Sequence, residues 1–586
     1  MRRRLPPPWA LTALLALVYV LWTPATGDFA AQAYRTTLAE RGVWLWDAGW
    51  FGGHHLPSYS VLFPALGALV GTAAAGGVAA TASTWAFTGL VRAQRPGPGA
   101  EAGAWWFAVG GAAMLTTGRL TFQLGVAFGL LALWLAAPAR DAGDPGPLAV
   151  AADRPSPEPP PVSRIRVAAA LLAAALTPLA SPVAALFLAL AGVVWCLHRR
   201  TVRGLPAAVT VVPVAVAVLL TVAFPNGGSQ PFAAWEALLA IGALAAAAAV
   251  LPGEERALRI GTVLYLVAIA LSAVLTTPMG SNAPRLGTLL AGPVLVAVVV
   301  GRRRGAPAPG SDGGPPERTS SPDGPPGSTR AATSGRRRAA LIAALGLLLV
   351  WQLYSPVQQT LRAADDDTTA RSFYAPLRAE LLPRLRAEPA RVEVPPTARR
   401  GEARWLAPDV PLARGWIRQL DGERNALFYR DGSLDPRVYR AWLEDNAVTW
   451  VALPDAPADV RSKAERALLR SGRVPGLRRV WADAHWTLWR VVDGRPLASW
   501  ADEGGGPRPR VTAEGPDSFV LEVPRAGVVD LRIRWSPYLH VSSGNACLRR
   551  SPGDWTHVRA PARGTVHVGV TISTPWRTAA PADCPA

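Results

Sequence analysis

A chain of 586 residues with 50% hydrophobic and only 17% charged side chains, and a mean hydropathy of +0.19, is too long for one domain and too apolar for an ordinary soluble protein. Its formal net charge of +19 would suit a nucleic-acid binder, but the arginines cluster between apolar runs, and no basic patch interleaved with aromatics stands out on a soluble segment. The composition therefore points away from nucleic acid and toward membrane lipid as the partner.

From Trp9 to Tyr354 the sequence is a succession of apolar runs. About eleven spans are predicted, at 9–24, 58–91, 103–117, 120–138, 165–178, 182–197, 205–224, 232–251, 258–276, 285–300 and 339–354. The first follows Arg2-Arg3-Arg4 and is read as a retained anchor rather than a cleaved signal peptide. The run 58–91 contains Gly67, Gly71, Gly76 and Gly77, which admits one long helix or a re-entrant pair. Counted as one crossing, it leaves 22 arginines on the N-terminal side of the membrane and four in the inter-helix segments on the other: Arg35, Arg41, Arg119 and Arg285. The positive-inside rule then predicts a cytoplasmic N-terminus and an extracytoplasmic tail beyond residue 354.

Directly after the first run comes Gly27-Asp28-Phe29-Ala30-Ala31-Gln32-Ala33-Tyr34-Arg35, in which Asp28, Gln32 and Arg35 stand at i, i+4 and i+7 and share one helical face. Two readings stand side by side. The face engages a phosphate or a hydroxyl, or Asp28 is an N-cap whose carboxylate satisfies backbone N–H groups. The rest of this first outer loop, 25–58, carries Trp44, Trp46, Asp47, Trp50, Gly52, Gly53, His54 and His55. Tryptophans are expected at a membrane interface, which leaves Asp47, His54 and His55 unexplained.

Farther along, Arg119 and Arg285 occupy span ends on the side where arginine is scarce, and either snorkel to headgroups or bind an anionic ligand. Opposite an acidic, aromatic loop they suggest a phosphate site flanked by a carboxylate. Glu236, the only acid inside a predicted span, follows Phe232 and Trp235 and reads as an interfacial residue.

Two cytoplasmic linkers are expected, a proline-rich one at 139–164 and a Gly-, Pro- and Ser-rich one at 302–338. The first 354 residues thus form the membrane domain. In 355–500 helical and strand patterns alternate, as in the capped helix after Asp435 followed by Val448–Pro454, which predicts an α/β unit. In 501–586 period-two runs such as Phe519–Val523 and Val529–Trp535 predict a small β-sandwich. Cys547 and Cys584 both fall in this outer region, where a disulfide between them is plausible, two free thiols being the alternative. No Cys and His spacing suits a metal.

A first span followed by a long outer loop with an early Asp, many further spans and a large outer C-terminal region resembles the GT-C class of membrane glycosyltransferases. Gly27-Asp28 with Gln32, the Trp-rich segment before Pro57, Trp442-Leu443 before Val448-Thr449-Trp450-Val451, and Arg534-Trp535-Ser536-Pro537-Tyr538 also look like the bacterial YfhO-like membrane proteins. The resemblance implies transfer of a sugar from a polyprenyl-phosphate donor to an envelope glycan or protein acceptor at the cell membrane. It assigns Asp28 as the base toward the acceptor hydroxyl. Gln32, Arg35, Asp47, His54, His55, Arg119 and Arg285 are the expected substrate-binding residues. The chain lacks the adjacent paired acids that many GT-C families carry after the first span, so a divalent cation is left open. The competing readings are a transporter or flippase of lipid-linked or envelope substrates, and a non-catalytic envelope scaffold.

Overall fold

A computed structural model of the chain describes residues 6–24, 26–137, 163–303, 328–502 and 506–572. Most of the expected linker 139–164, most of 302–338, and Cys584 lie outside these residues. Cys547 is disulfide-bonded and Cys196 is a free thiol.

The N-terminal half is helical. Helix α1 (Pro8–Trp22) is followed by α2 (Gly27–Glu40), bent from it by 81°. After a short hairpin of β1 (Trp46–Asp47) and β2 (His54–His55) come α3 (Leu62–Val70), α4 (Thr72–Gln94), α5 (Pro98–Leu115) and α6 (Leu120–Ala136). Then follow α7 (Arg164–Ala180), α8 (Pro182–Arg199), α9 (Gly204–Ala223), α10 (Ala234–Val250), α11 (Arg256–Val274), α12 (Arg285–Arg303) and α13 (Ser328–Ala364).

Five of the described helical stretches are long and apolar enough to cross a membrane, or up to seven if each bent pair counts as one span. The run 58–91 is one of those pairs. It breaks at Gly71, whose φ of +88° no β-carbon tolerates well, and α3 and α4 meet at 115°. Arg336–Arg338, expected in a linker, belong instead to α13, which continues past Tyr354 to Ala364; Ala and Arg are strong helix formers, and the apolar run carries the helix onward.

The C-terminal half comprises two units. The first contains α14 (Arg371–Ala387), β3 (Arg391–Glu393), α15 (Glu402–Trp405), α16 (Arg418–Arg424), α17 (Pro436–Asp445), β4 (Val448–Pro454), α18 (Lys463–Arg470), β5 (Leu477–Ala482) and β6 (Trp486–Val491). Its sheet has the order β3-β4-β6-β5, with β3 parallel to β4 and the other pairs antiparallel. Asp435 caps α17 by accepting from the Arg437 and Val438 backbone N–H groups, as the Asp-Pro start of that helix dictates.

The second unit is a sandwich of two four-stranded antiparallel sheets. One has the order β12-β13-β10-β7, from β12 (Cys547–Ser551), β13 (Trp555–Ala560), β10 (Gly527–Arg534) and β7 (Ala498–Trp500). The other has β11-β14-β9-β8, from β11 (Leu539–Ser543), β14 (Gly564–Val570), β9 (Ser518–Val523) and β8 (Arg510–Glu514). Because β7 pairs with β10, the sandwich begins just before residue 501. Alternate residues such as Leu521, Leu531, Val558 and Val566 fill its core.

The loop between α2 and α3 joins both units. Trp46 is buried in the sandwich core against Phe519, and Trp50 and Phe51 are buried in the core of the α/β unit. The backbone is tied in as well: Leu412 N–H donates to Gly49 C=O, Ala48 N–H to Pro516 C=O, and Arg534 N–H to Gly52 C=O. The expectation of a membrane-interface role thus fails for Trp46 and Trp50, because the two C-terminal units offer these rings complete burial. Trp44 alone among the three is exposed.

Candidate functional site

Helix α2 lies at the rim of the helical domain, under the α/β unit. Trp416 Nε1 donates to Gly27 C=O at 2.9 Å, and the Arg404 guanidinium sits 4.9 Å from the Phe29 ring centre. Thr26, not Asp28, occupies the N-cap position, and no side chain caps the helix. The capping alternative for Asp28 is therefore not realised.

The Asp28 carboxylate instead accepts from Arg119 Nε at 3.3 Å. The turn at Thr117-Gly118-Arg119 makes this approach: Gly118 has φ +72°, and a β-carbon there would strike the Phe29 backbone nitrogen. Asp28 and Arg119 are both about one-third exposed, at 31% and 28% of their side-chain surface. They form the open end of the site.

Arg285 closes the other end. It begins α12, stands 5.6 Å from the Phe122 ring centre, and has a buried Nε with no hydrogen-bond partner. Asp28, Arg119 and Tyr59 all lie within its electrostatic reach. Tyr59 in turn accepts from Gln32 Nε2 at 3.2 Å and lies under the Arg35 guanidinium, 3.9 Å from ring centre to Cζ. Arg35 is buried with none of its three nitrogens hydrogen-bonded, and burial lowers its basicity, offset by Tyr59, Asp47 and Tyr34. Asp28, Gln32, Arg35, Arg119 and Arg285 thus occupy one neighbourhood, joined by Tyr59.

The loop residues lie elsewhere. Asp47 is fully buried beneath Arg35, accepting from Tyr34 Oη at 2.8 Å and from the Gly49 N–H at 3.0 Å. Burial pushes its carboxyl up to about 7 despite those bonds. His54 stacks on Trp50 and lies 3.2 Å from the Asp47 carbonyl through Nδ1, so that nitrogen carries the proton; burial keeps the ring neutral, holding it well below the usual imidazole range.

His55 faces a different direction. Its Nδ1–H donates to Pro225 C=O at 2.9 Å, which leaves Nε2 to accept from Ser536 Oγ at 3.0 Å. It joins the helical domain to the sandwich. Burial is the main reason its basicity is lowered. Asp47, His54 and His55 therefore build the scaffold around the site and do not line its opening.

Sequence spacing missed two contributors. Tyr59 is the common neighbour of Gln32, Arg35 and Arg285, a role that no local pattern encodes. Glu236, at the start of α10, lies within electrostatic reach of Arg119 and Arg418. Its position after Trp235 was the available signal.

The charge balance at the opening favours an anion, since Arg119, Arg285 and Arg418 lie within electrostatic reach of Asp28 or Glu236. It does not suit a divalent cation, and among the described residues no group of three or more His, Cys, Asp or Glu could hold a metal ion.

No protein-family model and no curated protein matches the chain. Among solved structures it is similar to the arabinofuranosyltransferase AftD from mycobacteria, with 15% identity and a TM-score of 0.41, over 90% of this chain and 41% of that one. A mutant of the same enzyme aligns with 14% identity and a TM-score of 0.42, over 96% of this chain and 59% of that one. The chain spans less than two thirds of either length. Likeness at this level says nothing of what this chain acts on.

Proposed function

We propose that the chain is a membrane glycosyltransferase of GT-C type that moves a sugar from a polyprenyl-phosphate donor to an extracytoplasmic envelope acceptor. The observation that supports it is the meeting of a partly exposed carboxylate, Asp28, with the guanidinium groups of Arg119 and Arg285 at the rim of the helical domain. Such a rim is where a lipid phosphate arrives with its tail still in the bilayer.

In this reading the donor phosphate engages Arg119 and Arg285 and competes with Asp28 for Arg119. The freed carboxylate takes the proton of the acceptor hydroxyl as its oxygen bonds to the anomeric carbon. The bond between that carbon and the phosphate oxygen breaks, and the lipid phosphate leaves as an anion held by the two arginines. Arg35, buried without a hydrogen-bond partner, adds positive potential behind them.

The test is transfer of labelled sugar by the purified chain in proteoliposomes loaded with a polyprenyl-phosphate sugar. Cleavage of the donor with label on the acceptor supports the reading. Movement of the intact lipid-linked sugar across the bilayer without cleavage would instead mark a flippase.

A further inference from the structure

The helices leave a second opening at the other end of the bundle. Asp28, Arg119 and Arg285 stand where α2, α6 and α12 begin, whereas a cleft of about 700 Å³ lies where α4, α6, α8 and α12 end and α11 begins. Its walls are apolar, with Phe87, Leu90, Leu133, Val194, Leu258 and Val298 among them. On the Asp28 side of the cleft the bundle is closed. There Phe187 packs against Tyr265 with ring centres 6.2 Å apart, joining α8 to α11, and Tyr265 Oη donates to Ala283 C=O at 2.6 Å just before α12.

The depth is that of one leaflet. Phe87 lies about two turns before Arg95, and Ala191 about two turns before Arg199, so the lined stretch runs ~12 Å, close to half of the roughly 30 Å hydrocarbon core of a bilayer. Such walls offer water too few polar partners to hold it. A hydrocarbon chain is the filling that suits them.

The mouth, by contrast, is charged. Among the described residues it carries Arg95, Arg199 and Arg256 with Glu254 and Glu255. Glu255 is buried and ion-paired to Arg95, a bond that ties the end of α4 to the start of α11. Arg199 and Arg256 are exposed, and so are Arg200 and Arg259 beside them in the chain. These four sit on adjacent helix ends, since α8 and α11 run side by side with Val194 next to Gly261. Glu254 offsets one of the four charges, which leaves the mouth basic. A cationic headgroup is repelled there, whereas a phosphate with net negative charge meets guanidinium groups over an apolar slot.

We propose that this cleft is a binding site for an anionic glycerophospholipid, with one acyl chain between the helices and the phosphate at Arg199 and Arg256. The depth matches a chain that ends within one leaflet, which favours an acyl chain over a polyprenyl one. The site is separate from the transfer chemistry at Asp28 and does not depend on it.

The test uses the full chain in phosphatidylcholine nanodiscs that carry increasing phosphatidylglycerol with a diazirine near the end of one acyl chain. Irradiation labels α4 near Phe87 and α8 near Ala191, and the mole fraction at half-maximal labelling gives the apparent affinity. Phosphatidylcholine bearing the same diazirine chain labels these segments at least about tenfold less. Replacing Arg199→Gln and Arg256→Gln together weakens the phosphatidylglycerol affinity about thirtyfold, about fivefold for each cation. Ala191→Trp fills the cleft and abolishes the labelling near Phe87; should it fail to fold, the exposed arginine pair decides the matter alone. Asp28→Asn is labelled as the unaltered chain is, so failure of the transferase reading leaves this result intact. Equal labelling by the two phospholipids, preferential labelling by a diazirine polyprenyl phosphate, or unaltered labelling of a folded arginine or Ala191→Trp variant overturns the site.

Discussion

Arg119 Nε meets the Asp28 carboxylate at 3.3 Å across 91 residues of chain. The pair joins the start of α2 to the start of α6, and a chain that needed only a helix cap at Asp28 had no reason to bring a guanidinium there. Arg119→Ala is expected to weaken binding of a polyprenyl-phosphate sugar by about 1–3 kcal/mol, because the phosphate loses a charge-assisted donor. Arg119→Lys should recover part of that loss, as it keeps the charge but not the planar fork. Competition binding in nanodiscs measures both, and equal affinity of all three proteins would remove Arg119 from the donor site.

The loop tryptophans give a stability contrast. Trp50 is fully buried and Trp44 is 44% exposed, six residues apart. Trp50→Ala should cost about 3–5 kcal/mol and loosen the α/β unit from the helical domain. Trp44→Ala should stay within about 0.5 kcal/mol. Thermal melts read this directly; comparable losses from both variants would contradict the described burial.

Asp47 makes a pH prediction with an unusual sign. Its folded carboxyl titrates near 7, above the ordinary value of 3.8, so between these the folded chain holds a proton that the unfolded chain has lost. Stability from this group is therefore full below about 4 and declines as pH rises toward 7, by a few kcal/mol at most. His54 works the other way, since its ring stays neutral when folded and stability from it grows as pH rises to about 6.5. Asp47→Asn removes only the first contribution. The melting temperature of that variant relative to the unaltered chain should climb between pH 4 and 7; a flat or falling difference would show that the carboxyl is not held protonated.

His55 tests the division between scaffold and site. His55→Ala strands Pro225 C=O and Ser536 Oγ and should cost about 1–3 kcal/mol. Hydrogen exchange should quicken around 224–226 and 536–540 while donor affinity is unchanged. A selective loss of donor affinity would return His55 to the ligand site.

Much of the plan was legible in the chain. Apolar runs marked the helical half, and period-two runs such as Phe519–Val523 marked the sandwich, because burial on one face forces that alternation. The i, i+4, i+7 spacing of Asp28, Gln32 and Arg35 gave their common neighbourhood, since a helix fixes it. What could not be read is long-range. Trp46 and Trp50 look like interface aromatics until two distant units supply cores to receive them. Likewise Tyr59 looks like one more aromatic, and only the fold sets it between Arg35 and Gln32. The kink at Gly71 was hinted at by local glycines, but its 115° angle is set by packing.

In the proposed reaction Asp28 is a base and not a structural ion-pair partner. Asp28→Asn keeps the shape and a hydrogen-bond acceptor for Arg119 but cannot take a proton at neutral pH. Single-turnover transfer from a bound polyprenyl-phosphate sugar, measured beside donor affinity in the same nanodiscs, decides the matter. The account predicts donor affinity within about threefold of the unaltered chain, with the rate of transfer down by about 10²–10⁴-fold. Transfer at an undiminished rate by a folded Asp28→Asn chain that binds donor would contradict it.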